Sequence, residues 1–294
     1  MVRSILTANR TRSTWAYRQQ QLAEQPSPAA AAPAEATPAE SCPIAPRSRR
    51  SREKKTGTKG YTIADDKIKA SINLWLAAAV QDYAAHAGSS GWALLLETRT
   101  LLSVQTLEAA AAFVAERIIV PNPDPEECNA MMQSRPGLHA LPLTSHDLLT
   151  ALSDASSPLT DQLSLGGFDG AFQFVWLDYC GTMSSGAGRA RQKDLVNLFA
   201  GESSLVRHGT LLAVTFSCRG SSALYSHELV DSLILLVQCL ASDKEMTAVL
   251  HGVVSYSIST PMYTISFVIS DKIRPIDLPG RDPLSDSLSP SLTV

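Results

Sequence analysis

The feature that most constrains this chain is a series of short apolar runs that alternate with helix-like segments. WALLLE (92–97), RIIVPN (117–122), LHALPL (138–143), AFQFVWLD (171–178) and TLLAVTFS (210–217) are continuous or nearly continuous in apolar residues, and helical patterning follows each. Strands of this kind are covered on both faces, so the pattern implies a mostly parallel sheet between two layers of helix. Ahead of the first run, Ile68, Ile72, Trp75, Leu76 and Val80 fall near helical spacing and predict an amphipathic helix ending by Gly88. Later helices are expected over LSVQTLEAAAAFVAE, over DPEECNAMMQS, from near His146, around RQKDLVNLFAGESSLV and over ALYSHELVDSLILLVQCLAS. The chain closes with HGVVSYSIS and MYTISFVIS, separated only by Thr260 and Pro261. That spacing is too tight for a crossover helix, so these two strands must form an antiparallel hairpin. The expected fold class is α/β: a doubly wound, mostly parallel seven-stranded sheet with a C-terminal antiparallel β-hairpin, preceded by a disordered basic N-terminal region.

With 294 residues, 45 % of them apolar, the chain is large enough for a real core. It contains no apolar stretch of about 18 residues and no apolar segment behind the first Met, so neither a membrane span nor a secretory signal is expected. An intracellular protein without membrane partners follows from that reading. Cys42, Cys128, Cys180, Cys218 and Cys239 form no C-x-x-C pair, which predicts reduced thiols rather than a disulfide framework or a metal site.

The net charge of −3 hides an asymmetry. Residues 1–60 hold 11 Lys and Arg against 4 Asp and Glu, a net of +7, leaving 14 against 24, a net of −10, for residues 61–294. Residues 1–63 are Ala/Pro/Ser-rich and too poor in large apolar groups to offset chain entropy, so they are expected to be a disordered targeting or tethering region. Arg3, Arg10, Arg12 and Arg18, in an acid-free stretch, fit an organelle transit peptide of a mitochondrion or plastid. Arg47, Arg49, Arg50, Arg52, Lys54 and Lys55 fit a nuclear import signal or a nucleic-acid-binding arm, and a solvated basic linker fits as well. The ordered domain is expected over 64–271 and a disordered tail over 272–294.

Five βα units and a closing hairpin over roughly residues 66–270 resemble the class I S-adenosylmethionine (SAM) methyltransferases. That resemblance implies SAM as cofactor, bound beyond the carboxyl ends of the strands, as ligands are in open α/β sheets. It places Glu97 at the acidic position after the first strand, although ETRTLLS lacks the glycines that usually follow, so Thr98 and Thr100 stand as candidate cofactor contacts or as caps of the next helix. Asn122, after the second strand, takes the position of a ribose-binding acid or belongs to an ordinary turn. Ser145 and Asp147, after the third, fall beside the expected adenine ring or simply begin a helix.

The fourth strand ends in LDYCGT, which resembles the Asp-Pro-Phe-Gly motif of tRNA guanine-N2 dimethyltransferases. The likeness implies that Asp178 accepts a hydrogen bond from a target amine and also faces the cofactor, that Tyr179 stacks on an extruded base, and that Gly181 lets the backbone turn closely, with Cys180 between them. LLAVTFSCRG, after His208-Gly209-Thr210, resembles the next strand of the same enzymes and adds Ser217 and Arg219 as candidate substrate contacts. Arg189, Arg191 and Lys193, in an expected loop GAGRARQK, form the one evident basic group of the domain and suit a phosphate backbone of RNA or DNA. Other readings remain open. They are a catalytically silent domain acting as a binding module, a cysteine-dependent cytosine-C5 methyltransferase using Cys180 and Cys218, and a protein or small-molecule methyltransferase.

Overall fold

The computed structural model describes residues 63–87, 91–154, 156–179, 181–183, 186–201, 204–219, 223–257 and 260–272. The expected N-terminal region and C-terminal tail lie outside these residues, save for positions 63 and 272, as do Cys42 and Cys180.

In chain order the elements are α1 (Ile63–Ala87), β1 (Trp92–Leu95), α2 (Leu102–Ala109), a 3-10 turn (Ala115–Arg117), β2 (Ile118–Pro121), α3 (Pro125–Ser134), β3 (His139–Leu141), α4 (Ser145–Ser153), α5 (Pro158–Leu165), β4 (Phe172–Asp178), α6 (Gly186–Phe199), β5 (Val206–Ser217), α7 (Ala223–Asp243), β6 (Met246–Ser257) and β7 (Pro261–Asp271). The seven strands form one sheet in the order β3-β2-β1-β4-β5-β7-β6. All pairings among β1 to β5 are parallel, whereas β7 runs antiparallel to both β5 and β6. The closing hairpin is thus present, and its second strand turns inward. Helix α7 carries the chain one strand-width past β5, which leaves a slot whose free N–H and C=O groups β7 satisfies.

Two hydrophobic cores flank the sheet. Helices α1, α2 and α3 pack on one face through Ile72, Leu76, Val80, Val104, Leu107 and Met131. Helices α4 to α7 pack on the other through residues such as Leu148, Leu149, Leu163, Leu195 and Val237. Side chains alternate along a strand, so Ala93 and Leu95 of β1, with Phe174 and Trp176 of β4, face α1, while Leu94, Val175 and Leu177 face the opposite layer. This alternation decides where the strand-end acids go.

Two local expectations are corrected, and one short helix is added. The helix over LSVQTLEAAAAFVAE stops at Ala109, because Ala111 takes a left-handed turn (φ 51°) that delivers Phe113 and Ala115 into the core. Phe113 stacks on Phe174 with ring centroids 6.3 Å apart, so burial overrides the helix propensity of four alanines. GAGRARQK is not a loop but the start of α6, where Gly188 lets the helix pass against the Met183 carbonyl. The polar segment before β4 contains the short helix α5. Helix α1 is held by an aromatic contact at the far side of the sheet: a register shift at Leu250–Gly252 turns His251 under Trp75, stacked at 5.5 Å.

Candidate functional site

The period-2 alternation continues two residues past the end of β1 and holds to the last residue of β4. Glu97 follows Ala93 and Leu95, and Asp178 follows Phe174 and Trp176, so both acids are directed to the α1 face at the carboxyl edge of the sheet. Lys69 of α1 meets them there. Its Nζ donates to Asp178 Oδ2 at 2.8 Å, with side-chain exposures of 24 % for Lys69 and 14 % for Asp178. The ammonium also lies 6.0 Å from the centre of the Trp176 indole, whose Nε1 donates to Thr215 Oγ1 at 3.0 Å and fixes the ring.

Glu97 is buried and fully engaged. Oε1 accepts from the Ser103 backbone N–H at 2.8 Å and Oε2 from that of Thr98 at 3.3 Å, so the carboxylate caps the start of α2. Burial raises its pKa above the usual carboxylate range, with Asp178 adding to the rise and Lys69 and Ser103 opposing it. The turn that follows has no glycine, yet it keeps a conformation glycine favours: Leu101 sits at φ 51°, ψ 37° with its side chain in the core. Asn73, one helical turn beyond Lys69, accepts from Ser103 Oγ at 3.4 Å, and its buried Nδ2 has no partner. It lines a cleft of about 350 Å³ between α1 and α2.

The other cofactor candidates are committed to local structure. Thr98 and Thr100 share a hydroxyl hydrogen bond of 2.9 Å. Asn122 Oδ1 accepts from the Asp124 backbone N–H at 2.9 Å, and Asp124 caps α3. That bond takes up one of the two lone pairs on Asn122 Oδ1. Asp147 and Thr144 form a reciprocal cap on α4. Arg99 makes a bidentate pair with Glu127 across the mouth between the β1 and β2 turns, at 2.7 and 3.2 Å.

Tyr179 takes the other direction. Following Leu177, it turns to the opposite face, is only 6 % exposed, and donates its hydroxyl to Asp194 Oδ2 at 2.6 Å. Burial first, and Asp194 second, hold its phenol well above the ordinary pKa. The same carboxylate accepts from Ser145 Oγ at 2.6 Å, and its other oxygen lies 3.2 Å from His146 Nδ1. Arg191 covers the Tyr179 ring at 5.5 Å and donates to the Thr182 carbonyl, and Gly181 leaves space for that guanidinium. Tyr179 therefore anchors the turn after β4 and offers no open ring face for a base. Arg191 does not reach outward, while Arg189 and Lys193 are exposed. The Gly181 carbonyl accepts from the Ser217 N–H, Ser217 Oγ accepts from the Arg219 N–H, and the Arg219 guanidinium donates to Thr260 at 3.3 Å. Cys218 is buried, which raises its thiol pKa and disfavours the thiolate a nucleophile requires.

Lys69, Asn73 and Asp194 were not singled out from the sequence. Each had a faint signal there: Lys69 and Asn73 follow Ile68 and Ile72 by one residue, and Asp194 lies four residues before buried Leu198, on the apolar side of its helix.

No protein-family profile and no curated protein matches this sequence. Solved structures do. TYW2 of P. horikoshii, in complex with MeSAdo, is similar at 8 % identity and a TM-score of 0.39 over 62 % of this chain and 58 % of that one. The Methanococcus jannaschii fibrillarin pre-rRNA processing protein is similar at 10 % identity, TM-score 0.37, over 62 % and 68 %. A 16S rRNA (adenine(1408)-N(1))-methyltransferase from Catenulisporales acidiphilia with SAM is similar at 14 % identity, TM-score 0.39, over 67 % and 93 %. The chain thus spans 58 % of the length of the TYW2 structure. With seven strands in one sheet, β7 inserted antiparallel between β5 and β6, and helices on both faces, the chain has the doubly wound, Rossmann-like α/β architecture that its sequence predicts.

Proposed function

We propose that the chain is a SAM-dependent methyltransferase acting on an amino nitrogen of a nucleic-acid base, in tRNA or other RNA or in DNA, with Asp178 orienting the acceptor. One observation carries the reading: the Asp178 carboxylate at the end of β4 holds an amine nitrogen at 2.8 Å, on the same sheet face as Glu97. Function resides in such a site and not in the fold. The donor set suits a ligand with both cationic and anionic ends. Asp178 offers a carboxylate, and the unpartnered Asn73 Nδ2 offers a donor on the same side, beside the Ser103 that Glu97 caps. When bound, SAM supplies a methyl group on a sulfonium sulfur, an electrophile that needs an aligned lone pair. Asp178 accepts a hydrogen bond from the acceptor N–H and so fixes the direction of that lone pair. Thr98, Thr100 and Asn122, in the turns after β1 and β2, and Ser145 and Asp147, in the first turn of α4, are the groups that would border the rest of such a ligand.

For the acceptor class, exposed Arg189 and Lys193 on α6, together with the basic residues of 1–60, supply attraction to phosphates. Calorimetric titration with SAM tests the enzyme reading, and methyl transfer from labelled SAM to tRNA, bulk RNA or DNA tests the acceptor. Heat of binding and label in nucleic acid are expected. An intact fold by circular dichroism with no heat would sink the reading.

A second reading, a catalytically silent domain that binds a partner, is favoured by two specific features. Asp178 already has a cation in Lys69, and the β1 turn holds a buried leucine where glycines would let a cofactor approach. The same titration separates the two.

A further inference from the structure

On the reading that this protein transfers methyl groups, the geometry points to Lys69 as an acceptor within the chain itself: the protein methylates its own Lys69 Nζ. The hydrogen bond that Asp178 would accept from a methyl-acceptor amine is already donated by one, Lys69 Nζ, at 2.8 Å. Lys69 is not a loose surface lysine. Its side chain is three-quarters buried, and its helix is fastened to the sheet within the next two turns by Ile72 and Leu76, so the amine is held in place rather than sampled. A partly buried ion pair gives little net stability once desolvation is set against it, which makes stability alone a weak reason for a lysine here. No other described lysine is bonded to a carboxylate at a strand end.

The chemistry balances with a sulfonium methyl donor as the single co-reactant. Lys69 enters as an ammonium and gives one proton to Asp178, which releases it to solvent. The freed lone pair forms the N–C bond as the donor's S–CH3 bond breaks, and the electron pair of that bond remains on sulfur as a thioether. Positive charge passes from sulfur to nitrogen, so the product is a methylammonium that still donates to Asp178. Beside it lies the Trp176 indole, and aromatic faces receive methylated ammonium groups well.

The test uses the full chain, purified and incubated with SAM, read by intact mass and by peptide mapping over α1, alongside SAM calorimetry. Expected are a binding heat, a gain of one CH2 per chain located on Lys69, and a rate independent of protein concentration. Lys69→Arg should remove the increment. A binding heat without methylation of Lys69, or methylation at exposed Lys67 instead, would overturn this inference and leave the proposed function standing. A rate proportional to protein concentration would show transfer between molecules and overturn it as well. The absence of both heat and label would overturn the inference and the proposed function together.

Discussion

Asp178 and Asp194 flank the same strand end from opposite faces of the sheet, and their partners differ in kind. Asp178 lies at the α1 face, partly open, and pairs with an ammonium. Asp194 lies on the other side with a side-chain exposure of 2 %, and its donors include the hydroxyls of Tyr179 and Ser145. A carboxylate sealed among short hydroxyl donors fastens α4, α6 and the β4 turn together. One that meets a cation at a half-open edge can exchange that cation for another. Two acids of similar position therefore divide between architecture and chemistry, and substitution should separate them.

The largest effect is expected at Asp194. Asp194→Ala strands the buried Tyr179 hydroxyl and the part-buried Ser145 hydroxyl and should cost about 3 kcal/mol in urea unfolding. Tyr179→Phe removes one short hydrogen bond to the same carboxylate and should cost about 2 kcal/mol. If both left the unfolding midpoint unchanged, the fastening role would be wrong.

Asp178→Asn should behave in the opposite way. The pair is partly solvated, so about 1 kcal/mol or less of stability should be lost, whereas methyl transfer in a labelled-SAM assay should fall by about 100-fold. A stability loss as large as that of Asp194→Ala would erase the distinction between the two acids.

The smallest effect is a pH dependence. Glu97 has a raised pKa in the folded state, so its contribution to stability is intact below the ordinary carboxylate range and is lost as pH rises through the raised value. Unfolding midpoints of the wild type should therefore decline over that interval relative to Glu97→Gln. Parallel profiles would show that Glu97 ionises as freely in the folded chain as in the unfolded one.

Much of this was legible in the sequence. WALLLE and FVWLD have a side-chain period of two, and that period places Glu97 and Asp178 on one face while it sends Tyr179 to the other. The tight closing strands implied their hairpin. What the sequence did not reveal is which groups meet across long separations. Lys69 and Asp178 are 109 residues apart, and no local spacing relates them. The roles of Asn122 and Asp147 were visible as two alternatives each, a ligand contact or a turn and cap. The hydrogen bonds to the Asp124 N–H and to Thr144 show those groups occupied locally.

By itself, the sequence determined the alternation of strands and helices, because patterns of burial are written in near-neighbour periodicity. It also determined the acids at the strand ends, because each interrupts an apolar run. Tertiary structure alone decided that ETRTLLS keeps a left-handed turn with a leucine, since only the packed core around Leu101 offsets that backbone strain. It alone decided that α1 would lay a lysine on Asp178 and that Tyr179 would be sealed under Asp194, since helix placement on a sheet depends on the whole core and not on any one segment.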